Sequence, residues 1–347
     1  MHILVDLTHP ADVHFFGQAV RNWRQDDHVV EIVARDKDIL LALLTELGLP
    51  CQALGRAGQG LFGLGLELVN RQARLLHLMR TRRPDVVCGS GGTFVTLPAW
   101  LLNVPRVVFT DTENARVSNA ITFPFASTVC TPRAYPQELG RRQVRYAGYK
   151  ELAYLHPRYF TPDPEALGAA GLDPTEPFIF VRVVAWTSGH DFFDHGLDDL
   201  RVVVERLRRY GRVVLSSEGA LPADLEPLRL RGPLRHVHHV LAHARLYLGE
   251  SATMGAESAV LGTPAVVAST SRRSYLDELD ERYGLAFCYD DRKPGQAQAA
   301  ALERAEALLN DPTTPQVWRE RRARMLADQD DVAQFITDVV VRQGRGV

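Results

Sequence analysis

The chain holds little cysteine, almost no lysine, no long apolar run and almost no net charge, and each shortage excludes a class of protein. Its cysteines, Cys51, Cys88, Cys130 and Cys288, lie far apart. They form neither a CxxC pair nor a Cys/His cluster at metal-ligand spacing, so they read as buried thiols of a reducing compartment rather than a disulfide framework or zinc site. A net charge of −2 offers no global field for nucleic acid, and none is expected as a partner. Lysine occurs only at Lys37, Lys150 and Lys293, the other basic residues being arginine; that bias fits codon usage better than recognition chemistry. No stretch reaches the ~18–20 apolar residues of a membrane span, and the chain opens directly on the strand-like Ile3-Leu4-Val5 without a charged leader. The expectation is a cytoplasmic protein with at most peripheral membrane contact. Internal repeats, heptads and low-complexity segments are also missing.

What is present is ordinary globular material: 347 residues, 46% hydrophobic and 24% charged, enough for two domains of roughly 150 residues. The first half alternates short β-rich runs (2–7, 29–34, 85–88, 107–110, 127–130) with helical patterns (15–24, 38–47, 64–80, 95–102), the pattern of βαβ units around a parallel sheet. Pro157, Pro162 and Pro164 then break the regularity. A second α/β pattern follows, with strands at 178–185, 212–216, 246–248, 265–267 and 285–287 and a helix at 197–210. The expected organisation is an N-terminal Rossmann-like domain over 1–155, a second over 165–330, and a C-terminal helix over 331–347 packing on the body, with further helical runs at 296–309 and 315–326.

The most specific segment runs from Leu246 to Val267: an apolar strand, a small-residue turn Gly249-Glu-Ser-Ala-Thr253, a helix from about Met254, a stop at Gly262-Thr-Pro264 and a second strand. Such a turn places backbone N–H groups and the positive end of a helix dipole at one spot, which suits a diphosphate. Glu257 falls about one turn inside, where a carboxylate can accept from two ribose hydroxyls. The alternative is that Ser251 and Thr253 only cap the helix and Glu257 is a solvated acid.

Segment 246–267 resembles the donor-site motif shared by GT-B glycosyltransferases and nucleotide-sugar 2-epimerases. The resemblance implies the ribose role for Glu257 and places Ser251, Thr253, Met254 and Gly255 near the phosphates. Asp6-Leu-Thr-His-Pro-Ala-Asp-Val-His-Phe15, Ala34-Arg-Asp-Lys-Asp38, Gly148-Tyr-Lys-Glu-Leu-Ala-Tyr-Leu-His-Pro157 and Thr161-Pro-Asp-Pro164 resemble the DUF354 family, placed in the same superfamily. The implied fold class is α/β, two Rossmann-like domains facing a cleft.

The first loop, Thr8-His9-Pro10-Ala11-Asp12-Val13-His14, gathers two imidazoles and a carboxylate after strand one. An imidazole of ordinary pKa about 6.5 suits a base at neutral pH. Many glycosyltransferases of the resembled fold carry a base in this loop. His14 is the favoured one, with Asp12 and Glu113 as further catalytic candidates and His9 as an acceptor-side residue; the structural alternative is that the histidines cap the helix or pack on Pro10 and Phe15. Gly89-Ser-Gly-Gly-Thr93 resembles the glycine-rich turn of MurG-like lipid-linked acetylglucosaminyl transferases, which places Gly89, Gly91, Gly92 and Thr93 beside the acceptor; close helix–strand packing uses the same residues. Asp111, Glu113 and Asn114 follow the next strand and could orient a sugar. Hydrolysing 2-epimerases carry an acid in the turn that here reads Gly89-Ser-Gly-Gly92, so transfer is favoured over epimerisation.

In the second domain, Arg182 stands among Ile179, Val181 and Val183 and needs an anion, a carboxylate or a phosphate. Trp186, in the loop after that strand, and Glu218, closing the next, are further donor-side candidates. Three signals are discounted. Asp36-Lys-Asp38 fits a DxD metal motif but opens a helix, where acids favour the dipole. His236, His238, His239 and His243 lack carboxylate or cysteine company. Leu61–Arg83, with Arg71, Arg74, Arg80, Arg82 and Arg83, reads as a core-facing helix with a basic outer face rather than an interfacial one. The functional expectation is a metal-independent glycosyltransferase needing no cofactor. It would move sugar from a nucleotide-diphosphate donor, UDP-sugar favoured, to a cell-envelope polysaccharide, lipid-linked or small-molecule acceptor, in an oligomeric state left open. A nucleotide-sugar 2-epimerase and a non-catalytic sugar-nucleotide binding protein are the alternatives.

Overall fold

The computed structural model divides into two compact units, Met1–Tyr154 with Asp330–Val347, and Leu155–Gln329. It describes the chain except residues 59, 185–195, 272, 291, 292, 294 and 347 and the side chain of Leu61.

The first unit is a doubly wound parallel sheet. Its elements are β1 (His2–Leu7), α1 (Pro10–Gln25), β2 (Val29–Asp36), α2 (Leu40–Glu46), β3 (Gln52–Arg56), α3 (Gly60–Arg82), β4 (Val86–Ser90), α4 (Thr96–Leu101), β5 (Arg106–Phe109), α5 (Arg116–Thr122), β6 (Thr128–Pro132), β7 (Gln143–Tyr146) and the turn α6 (Leu152–Leu155). The strand order is β3-β2-β1-β4-β5-β6-β7. Strand order reverses between β1 and β4, and the carboxyl ends of strands at such a point are where doubly wound sheets take ligands. The C-terminal helix Val332–Gly344 packs on α1, where Trp23 Nε1 donates to Thr337 O at 3.2 Å and Asn22 Nδ2 to Thr337 Oγ1 at 3.1 Å.

The sequence pattern missed β3 and β7. Both are edge strands whose residues are largely exposed or half-buried, so neither shows the apolar run that marks the central strands. The reading of α3 also needs correction. Arg71, placed on its basic outer face, is buried and pairs with buried Asp6 of β1, while its guanidinium also donates to Ala34 O at 3.3 Å. Phe62, Leu66 and Val69 of this helix, expected to face the core, are exposed apolar residues, at 87%, 54% and 65%. One buried arginine thus fixes α3 over β1 and β2, and the N-terminal half of the helix turns apolar residues outward.

The second unit begins with α7 (Glu165–Ala169) after the proline-rich stretch, then β8 (Phe178–Val183), α8 (Leu200–Leu207), β9 (Arg212–Ser217), α9 (Val237–His243), β10 (Leu246–Gly249), α10 (Ala252–Leu261), β11 (Ala265–Ala268), α11 (Ser274–Glu281), β12 (Ala286–Tyr289), α12 (Gln296–Asn310) and α13 (Thr314–Ala327). Its parallel sheet has the order β12-β11-β10-β8-β9. The order reverses between β8 and β10, so the carboxyl ends of those two strands are the expected ligand edge. The core on one face joins Ile179, Val181, Val203, Leu215, Leu248, Val266 and Leu302. Among the described residues, no helix is long and apolar enough to cross a membrane.

Candidate functional site

At the β8/β10 edge of the second unit, Ser251 caps α10, its Oγ accepting from Met254 N at 3.3 Å. The first-turn N–H groups of Ala252 and Thr253 have no intrahelical acceptor, as in any α-helix, and lie just past the carboxyl end of β10. Glu257 lies farther along α10, buried at 5%, with Oε1 2.9 Å from His238 Nε2 of α9. This corrects two readings: Glu257 is not a solvated acid, and the histidine cluster does have a carboxylate. The ring of Phe160 stands edge-on to His238 at 6.3 Å. Neighbouring His239 accepts from Asp163 N through Nδ1 at 3.0 Å, and burial is the main cause holding its pKa below the ordinary range.

Of the other donor-side candidates, Met254 is buried and Thr253 half-buried in the first turn. Gly255 has a packing role. A Cβ there would lie 2.5 Å from Val267 Cγ2, so the glycine lets α10 seat on β11. Arg182 finds its anion within the protein, donating to Ser216 Oγ at 2.8 Å and Glu218 Oε1 at 2.5 Å. Glu218 is thereby committed to that ion pair. Trp186 lies outside the described residues. The sequence pattern missed Glu250, directly before the cap: it is buried, and its carboxylate accepts from Val184 N and Leu197 N at 2.7 Å each. An acid between a buried strand and a serine cap was the available signal.

At the β1/β4 edge of the first unit, α1 begins at Pro10, earlier than its apolar periodicity suggested, because His9 caps it through Nδ1, which accepts from Ala11 N at 3.2 Å. Asp12 completes a capping box. Its Oδ2 accepts from Thr8 N and His9 N at 3.0 Å each, and the residue is 2% exposed. A carboxylate so engaged by its own loop serves the helix cap. His14 is the fifth residue of α1 and stacks on Tyr154 at 5.2 Å. Gly92 adopts φ 68°, and a Cβ there would meet Val108 Cγ2 at 2.7 Å, so the turn is shaped by close packing. Gly91 N donates to Phe109 O at 2.8 Å, Gly89 lies against the Asp6 backbone, and Thr93 Oγ1 bonds Ser118 Oγ at 2.5 Å. Asp111 and Glu113 are half-buried after β5, and Asn114 is exposed.

The structure brings Asp12 and Asp111 together around a residue that no role had been given. Lys150, on the loop after β7, places Nζ 3.9 Å from Asp12 Oδ1 and from Asp111 Oδ1 and donates to Ser90 Oγ at 3.2 Å. Burial works to lower the lysine pKa, but Asp111, Asp12 and Glu151 outweigh it and the net shift is upward. Its scarcity was the signal in the sequence: one of only three lysines, inside a family motif. Among the described residues no group of three or more His, Cys, Asp or Glu is arranged to hold a metal ion; Asp36 instead pairs with Arg56 at 3.2 Å, and Lys37 with Asp38 at 3.6 Å.

Solved structures share this fold over essentially the whole chain. The UDP-GlcNAc 2-epimerase of Neisseria meningitidis, bound to UDP-GlcNAc, superposes with a TM-score of 0.73 at 10% identity, over 99% of this chain and 100% of that one. A glycosyltransferase of Streptomyces sp. SF2575, complexed with thymidine diphosphate, superposes with 0.61 at 13% identity, over 97% and 99%. Two parallel α/β units of these topologies make up the GT-B fold that these solved structures share. Within it, the chain belongs to the family described as a protein of unknown function, DUF354, whose model matches residues 1–280. An uncharacterized protein of Methanocaldococcus jannaschii is 23% identical over 282 residues, covering 77% of this chain and 81% of that one.

Proposed function

We propose that the chain binds a nucleotide-diphosphate sugar through its second unit and transfers the sugar to an acceptor hydroxyl, with a UDP-sugar as the favoured donor. One observation carries this reading: the ligand edge between β8 and β10 coincides with a capped helix N-terminus and a buried, oriented glutamate. The open N–H groups at Ala252 and Thr253 suit a diphosphate. Glu257, oriented through Oε1 by His238, is the group to accept from ribose hydroxyls. The nucleotide ligands of the two fold neighbours, UDP-GlcNAc and thymidine diphosphate, support a sugar-nucleotide role. His14 remains the proposed proton acceptor, with Glu113 next. A cell-envelope polysaccharide, a lipid-linked sugar and a small molecule are the acceptors this admits, on the cytoplasmic side.

Epimerisation at C2 is the second reading, favoured by the Asp111–Lys150 group in the first unit, where a carboxylate and an ammonium stand ready for proton movement. One experiment separates the readings. The full chain is incubated with UDP-GlcNAc in deuterated water, with and without candidate acceptors, and followed by NMR. Transfer releases UDP without deuterium at C2 of the sugar. Deuterium at C2, whether UDP stays attached or is released by hydrolysis, establishes epimerisation instead. Nucleotide binding with neither outcome would leave a binding protein and overturn the transferase reading.

A further inference from the structure

The groups around Lys150 have the makings of a second binding site, distinct from the nucleotide edge of the second unit. They come from the carboxyl ends of separate strands: Asp12 after β1, Ser90 at the end of β4, Asp111 after β5 and Lys150 after β7. They therefore straddle the β1/β4 reversal, the ligand edge of the first sheet. The lysine side chain is 14% exposed, and its ammonium also lies 5.3 Å from the centre of the Phe15 ring.

The donor and acceptor inventory is incomplete in a specific way. An ammonium has three N–H donors. Among the described residues only Ser90 Oγ accepts one at hydrogen-bond distance, and both carboxylates stand at 3.9 Å, beyond a direct hydrogen bond. Asp111 receives Thr112 Oγ1 at 3.0 Å on the same oxygen, Oδ1, that faces Lys150, and no described residue donates to its Oδ2. A donor and an acceptor thus remain side by side. One cation between two carboxylates leaves the site net negative, which disfavours phosphate or carboxylate ligands. A hydroxyl both donates and accepts, so a pair of neighbouring hydroxyls matches what is left.

We propose that Lys150, Ser90 and Asp111 form a subsite for an uncharged, hydroxyl-rich ligand of the carbohydrate class, Lys150 donating to one hydroxyl oxygen while Asp111 Oδ2 accepts from its neighbour. The identity of the ligand class rests on the sugar-handling reading above; the geometry does not. In that reading the subsite holds the acceptor sugar, and Lys150 sets its position without taking part in bond making.

The test uses the full chain and named probes: glucose, mannose, N-acetylglucosamine and myo-inositol at millimolar concentration, followed by saturation-transfer NMR, with inorganic phosphate and UDP titrated in parallel. At least one neutral probe should bind the unaltered protein. Lys150→Met and Asp111→Asn should each weaken it at least about tenfold, the effect of losing a hydrogen bond to a charged group, while UDP affinity stays unchanged. Ser90→Ala, which removes only a hydroxyl, serves as a milder third variant should Lys150→Met not fold, and should weaken the same probe. Probe binding unaltered in Asp111→Asn and Ser90→Ala, or failure of every neutral probe to bind, overturns the subsite. Phosphate binding that Lys150→Met abolishes makes it an anion site and overturns the proposal as well. If UDP binds and no neutral probe does, the subsite fails and the nucleotide reading stands; if a neutral probe binds through Lys150 and no nucleotide binds, the reverse holds.

Discussion

Replacing His238 by alanine probes the pair on which the donor-site reading depends. His238 and Glu257 are 2.9 Å apart with side chains only 6% and 7% exposed, so their hydrogen bond is scarcely screened by water. A hydrogen bond to a charged group is worth about 1.5–3 kcal/mol. Loss of the imidazole also leaves a void beside Phe160, whose ring centre lies 6.3 Å away. Both effects point to the upper end, a cost of about 3 kcal/mol. For a unit the size of Leu155–Gln329 this lowers Tm by roughly 6–12 °C, at about 2–4 °C per kcal/mol, which scanning calorimetry of the full chain will resolve. The same substitution in a Glu257→Gln background should cost at least about 1 kcal/mol less, because the partner charge is already gone. An equal cost in both backgrounds, or a Tm shift under about 2 °C, would refute the reasoning and make the contact incidental.

Arg71→Met should destabilise the first unit by about 3–5 kcal/mol in urea denaturation at pH 7, since it strips the buried Asp6 of its counter-charge; a cost below about 1 kcal/mol would show the pair to be dispensable. Burial holds the Asp6 pKa above 3.8 despite Arg71, so the folded unit keeps that proton longer than the unfolded chain, and the stability this confers is complete below about pH 3.8 and lost as pH rises through the folded value. Asp6→Asn should flatten that part of the stability–pH curve. Gly255→Ala, with its new Cβ 2.5 Å from Val267, should cost about 1–3 kcal/mol even though alanine is the better helix former; a gain in Tm would mean that α10 shifts freely on β11. Once an acceptor is in hand, His14→Ala should lower transfer by about 10²–10⁴ and leave nucleotide affinity unchanged, and full turnover would move the proton acceptor to Glu113 or the substrate.

Much of the fold is written in apolar periodicity, because central strands such as β1, β4 and β10 are buried on both faces and carry the apolar runs Ile3-Leu4-Val5, Val86-Val87-Cys88 and Leu246-Tyr247-Leu248. The edge strands β3 and β7 were not legible, since half their residues face water and read as loop. In the site, the cap at Ser251 and the need of Arg182 for an anion could be read locally. The partners could not: Glu257 meets His238 across 19 positions, and Lys150 meets Ser90 across 60. A glycine gives the same sequence signal whether it admits a ligand or a neighbouring side chain; Val108 packs against Gly92 and Val267 against Gly255. The capping role of Asp12 went unread although the signal was local, since an acid three residues after a capping position completes a capping box.

The central claim, that Glu257 holds a nucleotide in the second unit, is tested most directly by calorimetric titration of UDP, UDP-GlcNAc and thymidine diphosphate into the unaltered chain and into Glu257→Gln. Glutamine keeps the shape and can still bond His238, so the variant should fold. The account predicts that at least one nucleotide binds and that Glu257→Gln weakens it by about 1.5–3 kcal/mol, roughly ten- to 150-fold. A folded Glu257→Gln that binds nucleotide as tightly as the unaltered chain, or an unaltered chain that binds none of the three, would contradict it.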